Sequence, residues 1–142
     1  MPAVDWAETA IQRLDEAGYR SGASRRKIVE LLAGERCAVT ALEIDRRLDS
    51  VGRATVYRTL DQLERLHLVQ RVEIGGDPAG YERIDSAAHH HHLVCEQCGG
   101  LSPFADPSLM RAIEAIGRAA DFEVAAHDVV MRGRCPDCKT AA

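Results

Sequence analysis

The sequence predicts an α+β protein built in two parts. In the first part, apolar residues recur at helical spacing in four short segments, and an alternating segment with a Gly/Pro-rich turn follows them. In the second part, a run of four histidines leads into the first of two Cys-x-x-Cys pairs. A chain of 142 residues can hold one ordinary domain or two very small ones.

Two helices are expected at the start of the chain. Residues 6–17 form the first, and Gly18 supplies its stop. Ser24 is expected to cap the second helix, which ends at Gly34. The side chains expected to face inward are Trp6, Ala10, Ile11, Leu14, Ala17, Ile28, Val29, Leu31 and Leu32.

Two further helices and a hairpin complete the first part. Thr40 is expected to cap a short third helix, and the fourth carries apolar residues at helical spacing between Val56 and Leu68. Short helices this close together, the last one long and Arg-bearing, predict a helix-turn-helix. LVQRVEI then alternates, GGDPAG turns the chain and YERI returns it, which predicts a β-hairpin in the position of a wing. We therefore expect a winged-helix domain over residues 1–83 and a hinge over 84–88.

A second, metal-binding domain is expected over residues 89–142. HHHHLVC and LSPF predict strands, a helix follows from about Pro107 to Ala120, and FEVAAHDVVMRGRC predicts another strand or two. Two Cys-x-x-Cys pairs, called knuckles below, are separated by 36 residues, and each offers two thiolates to one tetrahedral ion. A four-thiolate site has no open position, so the expected metal is a structural zinc. The alternative is that the knuckles do not meet. The expected ligands are Cys95, Cys98, Cys135 and Cys138.

The histidine run predicts two sites back to back. In an extended segment successive side chains point to opposite faces, so His89 and His91 share one face while His90 and His92 share the other. Each pair needs further ligands from elsewhere in the chain. The alternative is that some of these histidines are solvated loop residues.

Partners for the two pairs come from other elements. His127, expected on the strand before the second knuckle, is a natural partner for His89 and His91. Glu82 on the last strand of the wing and Cys37 before the third helix could approach the other pair. A lone cysteine is also often a small core residue, and both interpretations of Cys37 stay open.

Basic residues cluster where a helix-turn-helix would meet DNA. Between Arg20 and Arg71 there are 11 Arg or Lys against 7 Asp or Glu, although the net charge of the chain is −4. Arginine at the start of a recognition helix can reach guanine edges or phosphates, and tyrosine can contact a thymine methyl group. The alternative is a solvated helix face. The expected DNA contacts are Arg20, Arg53, Thr55, Tyr57 and Arg58.

The composition bears on the compartment. No apolar run approaches the roughly 20 residues of a membrane span, and the N-terminus lacks the pattern of a secretory signal. We therefore expect a cytoplasmic protein with no membrane partner, whose cysteines bind metal rather than form disulfides.

Three segments together resemble the ferric uptake regulator (Fur) family of bacterial metal-dependent repressors. These are GRATVYRTLDQLERLHLVQRVE, HHHHLVCEQCG and AHDVVMRGRCPDC, and the resemblance extends from about Gly18 to Cys138. It implies a winged helix, a small α/β dimerisation domain, and a homodimer on palindromic double-stranded DNA. It also implies repression of metal-uptake genes, with no small-molecule substrate.

The resemblance assigns roles by position. The knuckle cysteines match the structural zinc ligands of the family, and Tyr57 and Arg58 match its pair of base and phosphate contacts. His90 and His92 match the regulatory site at the hinge, where Glu82 supplies the carboxylate. His89, His91 and His127 match a second site in the dimerisation domain.

Three departures from the family pattern affect the metal sites. Ala38, with Cys37 beside it, replaces the hinge histidine of iron-type members, and Ile84 followed by Asp85 replaces a cysteine of zinc-sensing members. Met110 replaces a glutamate of the second site, which leaves two alternatives: Glu114, one turn on, substitutes for it, or the site consists of three histidines and is weak.

The metal expected at the regulatory hinge site is exchangeable, and its identity depends on whether Cys37 is one of its ligands. A thiolate, two imidazoles and a carboxylate suit zinc, which favours the zinc-responsive (Zur-like) branch of the family. Without the thiolate, the site suits ferrous iron or manganese as well. A zinc-dependent hydrolase with a three-histidine site is the alternative of a different class, but there is no HExxH helix and no nucleophile pair, so we expect no enzyme. A purely structural zinc module would leave Tyr57, Arg58 and the wing unexplained.

Overall fold

The computed structural model describes residues 3–20, 22–73, 79–84 and 90–140. The chain divides into two compact units, Met1–Ala88 (unit 1) and His89–Ala142 (unit 2). Each unit contains helices and a three-stranded sheet, so the predicted α+β fold is confirmed. Most of the wing tip, most of the expected hinge, and His89 lie outside the described residues.

Unit 1 begins with two helices, α1 (Ala3–Glu16) and α2 (Ala23–Gly34). Gly18 takes a φ of +87°, a left-handed conformation that favours glycine and ends the first helix. Ala17 was expected inside but is exposed, because it follows the last helical residue. Ser24 was expected as a cap, and this prediction is wrong. The extended residue before the second helix is Gly22, so Ser24 already lies in the first turn.

The third and fourth helices are α3 (Ala41–Arg47) and α4 (Arg53–Arg65). The hydroxyl of Thr40 accepts a hydrogen bond from the Glu43 N–H at 3.1 Å, so the predicted cap is confirmed. The fourth helix ends at Arg65 and so does not include Leu66 and Leu68, but its inner face carries fully buried apolar side chains at helical spacing, as expected. They pack with α1, α2 and α3 around a common core whose largest fully buried residues include Leu14, Ile28, Leu32, Ile44, Leu60 and Leu63.

The sheet of unit 1 has the order β1-β3-β2, formed by β1 (Val39–Thr40), β2 (Val69–Val72) and β3 (Gly80–Arg83). β2 and β3 pair antiparallel, which confirms the predicted hairpin. The two-residue strand β1 was not predicted, because so short a segment shows no alternation. It approaches β3 closely: a Cβ on Gly80 would lie 2.8 Å from the Cβ of Ala38, so only glycine fits there.

Unit 2 contains β4 (His91–Cys95), β5 (Leu101–Phe104), α5 (Pro107–Ala119), β6 (Val130–Gly133) and α6 (Pro136–Thr140). Its sheet has the order β5-β4-β6, in which β4 pairs antiparallel with β5 and parallel with β6. Asp106 caps α5 by accepting from the Ser108 and Leu109 N–H groups. The short α6 was not predicted.

Unit 2 buries few apolar side chains. Among its described residues, the apolar ones less than one-tenth exposed are Val94 and Cys95. Large apolar side chains on and after α5 lie open, with Ile116 68% and Phe122 74% exposed. Packing within one copy of unit 2 therefore contributes little to its stability. Within the described part of the chain, no helix combines the length and the apolar character needed to cross a membrane.

Candidate functional site

The four knuckle cysteines lie together and are called the tetrathiolate cluster below. Because β4 and β6 run parallel with Cys95 opposite Gly133, both knuckles follow strands that end at the same edge of the sheet. The sulfur atoms of Cys95, Cys98, Cys135 and Cys138 all lie within 4.8 Å of one another. The alternative in which the knuckles stay apart is therefore excluded.

Backbone N–H groups favour ionised sulfur in the tetrathiolate cluster. The Cys135 N–H donates to the Cys95 Sγ at 3.3 Å, and the Cys98 N–H donates to the same atom at 3.5 Å. These bonds lower the pKa of Cys95 to about 6. A hydrogen bond between the Cys138 thiol and the Cys135 sulfur raises the pKa of Cys138 to about 12, because it stabilises the protonated form of Cys138. A bound cation would replace that proton and stabilise all four sulfurs as thiolates, so the cluster is compatible with a structural zinc.

Unit 1 holds a thiol and a carboxylate close together. The pairing of Val39 with Tyr81 carries the chain before β1 alongside Glu82, and the Cys37 Sγ lies within 4.8 Å of a Glu82 carboxylate oxygen. Glu82 is only 5% exposed. The side-chain amide of Gln70, directly opposite on β2, donates to Glu82 Oε1 at 2.5 Å. A buried carboxylate beside a thiol is a chemically suitable half of a metal site.

Unit 2 holds two imidazoles on one side of the entry to β4. The ring centroids of His90 and His92 lie 5.0 Å apart, and a nitrogen of each lies within 4.8 Å of a nitrogen of the other. The ring of His91 instead lies 5.2 Å from that of His127. The side chains therefore alternate along the run as an extended backbone requires.

The other expected ligands of the second site are less well assembled. His127 was expected on a strand, but it lies in the irregular segment before β6. Glu114 is exposed on α5, and within the described residues it forms no three-ligand cluster with His91 and His127. The structure thus brings together two imidazoles and leaves out the expected carboxylate.

The residues expected to contact DNA lie on the surface of unit 1. At the start of α4, Arg53 is exposed, and its Nε lies 3.2 Å from Asp45 Oδ2. One turn later Tyr57 and Arg58 are exposed, while Thr55 is half-buried. Arg20 is exposed, and its carbonyl accepts from the Arg25 guanidinium.

A groove of about 480 Å³ lies between α4 and the hairpin. Tyr57 and Arg58 line it on the helix side, and Arg71 and Tyr81 line it on the hairpin side. Burial raises the pKa of Tyr81, and the nearby Arg71 partly opposes this rise. Arg71 and Tyr81 were not expected at this surface, because their position depends on the register of β2 against β3.

The amino-acid sequence matches the ferric uptake regulator family over residues 16–132. The chain belongs to this family. The resemblance drawn from the three sequence segments is therefore confirmed.

Known members of the Fur family are similar to the chain along most of its length. The ferric uptake regulation protein of Legionella pneumophila is 33% identical over 133 residues, which cover 90% of this chain and 97% of that protein. The crystal structure of the Vibrio cholerae ferric uptake regulator is 30% identical with a TM-score of 0.78, and the match covers 87% of this chain and 98% of that one. The Pseudomonas aeruginosa ferric uptake regulator, solved with manganese, is 32% identical with a TM-score of 0.69, covering 88% and 96%.

Family membership fixes the general function. The chain is a metal-responsive transcription regulator of the Fur family, and its roles in DNA binding and repression follow from the family. Fur-family proteins are transcription regulators and not enzymes, so the hydrolase alternative has no support. Members of this family bind DNA and are dimeric.

Proposed function

We propose that this Fur-family regulator is a zinc-responsive repressor that acts as a homodimer on palindromic DNA and controls metal-uptake genes. Its exchangeable metal is held by Cys37, Glu82, His90 and His92. The observation that carries this proposal is the Cys37 sulfur within 4.8 Å of a buried Glu82 oxygen. The DNA lies in the bacterial cytoplasm, so this function implies a cytoplasmic protein.

The donor set of this exchangeable site suits zinc. One thiolate, two imidazoles and one carboxylate give four ligands of the types that zinc binds tetrahedrally. Within unit 1, the ligand atoms of Cys37 and Glu82 are close enough to chelate one ion, and the same is true of His90 and His92 within unit 2. Two-ligand half-sites bind weakly alone, so full affinity requires both units.

The tetrathiolate cluster holds a second, permanent zinc under this proposal. All four sulfurs come from unit 2, and none of the expected ligands is water. A closed site of this kind exchanges metal slowly and stabilises the fold.

The DNA-binding surface is the exposed side of α4. Tyr57 and Arg58 project from its second turn, and both line the groove beside the hairpin. We infer that they contact bases and phosphates, with support from Arg53, Thr55 and Arg20. Two recognition helices in a dimer must fit major grooves about 34 Å apart, which requires a palindromic operator.

A homodimer accounts for the open apolar surface of unit 2. A cleft of about 420 Å³ is lined by apolar side chains of α5 and the segment after it. A second copy of this chain, packed against that cleft, would remove Ile116 and Phe122 from water.

The metal acts through its preference for the arrangement of units that binds DNA. Ligands from unit 1 and unit 2 close on one ion only in that arrangement. A hundredfold gain in DNA affinity requires about 2.7 kcal/mol of coupling. Because coupling is reciprocal, operator DNA tightens metal binding by the same factor.

The second site in unit 2 is a weaker proposal. The ring centroids of His91 and His127 lie 5.2 Å apart, and His89 is the third expected imidazole. Glu114 would have to approach from its exposed position on α5. Such a site binds metal less tightly than the exchangeable site proposed at Cys37, Glu82, His90 and His92.

An iron- or manganese-responsive regulator is the second candidate. The similar proteins from Legionella pneumophila and Vibrio cholerae are ferric uptake regulators, which favours this alternative. It requires that Cys37 does not bind the metal, since a site of histidine and carboxylate suits these ions as well as zinc.

The test compares metals at buffered free concentrations. DNA affinity for a palindromic duplex is measured with zinc, with anaerobic ferrous iron and with manganese, in the wild type and in Cys37→Ser. A zinc response that Cys37→Ser blunts supports the proposal. A response to iron or manganese alone, unchanged in Cys37→Ser, supports the second candidate. If no metal changes DNA affinity, both are wrong.

A further inference from the structure

The side-chain amide of Gln70 is bonded to the buried carboxylate of Glu82. Gln70 on β2 and Glu82 on β3 are direct cross-strand partners, so the backbone register itself brings them together. The amide Nε2 donates to Glu82 Oε1 at 2.5 Å. Glu82 is 5% exposed, and a carboxylate taken this far from water needs hydrogen-bond donors or a cation.

We propose that Gln70 is a positioning residue that orients Glu82 for the exchangeable metal and favours zinc over larger ions. This inference rests on the proposed function, because it takes Glu82 as a metal ligand. The amide holds one carboxylate oxygen, so Glu82 binds the metal through a single oxygen. One oxygen from Glu82 with Cys37, His90 and His92 makes the four-coordinate set that zinc prefers.

The chemistry of the amide suits this role. Gln70 is neutral, so it orients the carboxylate without repelling a cation, as a lysine or arginine at this position would. Groups that orient metal ligands typically contribute 10–100-fold to metal affinity. Manganese accepts six oxygen-rich ligands and tolerates a carboxylate that binds through two oxygens. Removal of the amide therefore weakens zinc binding more than manganese binding.

The experiment measures zinc and manganese affinity of the full chain by competition with a chromophoric chelator, with the tetrathiolate cluster already loaded. Gln70→Met keeps the length of the side chain and removes the donor. We expect zinc affinity to fall about tenfold and the ratio of zinc to manganese affinity to fall with it. Gln12→Met is the matched control, because Gln12 donates to the exposed Glu16 at 2.9 Å, far from these ligands in sequence.

Zinc affinities of Glu82→Gln, of Gln70→Met and of the variant with both changes separate this inference from the proposed function. If Glu82→Gln leaves zinc affinity unchanged, Glu82 is not a ligand and the proposed site is wrong. If Glu82→Gln weakens zinc binding and Gln70→Met does not, only the role of Gln70 is overturned. If Gln70 acts through Glu82, the variant with both changes binds zinc no more weakly than Glu82→Gln alone. A further loss in that variant, or an equal loss in Gln12→Met, contradicts the inference.

Discussion

Loss of the metal from the tetrathiolate cluster is expected to unfold unit 2 and leave unit 1 folded. The described part of unit 2 has only Val94 and Cys95 as apolar residues less than one-tenth exposed. Burial of one valine contributes about 1.5–3 kcal/mol, whereas structural zinc binding contributes about 10–16 kcal/mol. A typical domain is stable by only about 5–15 kcal/mol. The free energy lost with the zinc is therefore larger than the stabilisation that the packing of unit 2 can supply. Unit 1 keeps an independent core from four helices.

The assay is amide hydrogen exchange, read separately for peptides of each unit. In Cys138→Ser, or after chelation, amides of β4 and β5 should exchange at rates of an unfolded chain. Amides of α4 should keep their protection. Cys37→Ser is the control, because it removes a cysteine outside the tetrathiolate cluster and should leave unit 2 protected. Full protection of β4 in the metal-free Cys138→Ser variant would refute the reasoning.

Three further predictions concern DNA binding, assembly and pH. Arg58→Ala should weaken DNA binding about equally for all sequences, and it should reduce by about one the slope of the logarithm of DNA affinity against the logarithm of salt concentration. Arg118→Ala on α5 should do neither, and an unchanged slope in Arg58→Ala contradicts the phosphate contact. Ile116→Asp should weaken dimerisation by about 2 kcal/mol or more, measured by sedimentation, and an intact dimer would place the interface elsewhere. Burial raises the pKa of Tyr81 above its ordinary value of 10.0, so the stability due to the protonated phenol is complete below 10.0 and is lost as the pH rises through the folded pKa. In Tyr81→Phe, the free energy of unfolding measured by urea titration should fall less steeply as the pH rises past 10.0. An equally steep fall in this variant would exclude Tyr81 as its source.

The parts of the fold predicted from sequence are those with local, repeated signals. α4 repeats its apolar residues over several turns, and the hairpin has alternation bounded by a turn. β1 has two residues and α6 has five, which are too few for any period to show. Ser24 was misassigned because a serine, which can cap, lay two residues past the extended glycine that precedes the helix.

The candidate sites divide in the same way. The tetrathiolate cluster follows from the spacing of its cysteines, because Cys-x-x-Cys already places two thiolates on one turn. The bond from Gln70 to Glu82 has no signal in the sequence, since it depends on which residues face each other across two strands. The groove residues Arg71 and Tyr81 depend on the same register. Which residues bind the exchangeable metal stays a prediction.

The sources of the ligands give each metal a different role under the proposed function. The tetrathiolate cluster draws all four sulfurs from unit 2, and backbone N–H groups already favour the Cys95 thiolate there. Its metal therefore serves the fold and need not respond to concentration. The exchangeable ion must instead gather Cys37 and Glu82 from unit 1 with two histidines from unit 2. Its binding free energy is coupled to the arrangement of the units, so its occupancy can follow free metal and change DNA affinity.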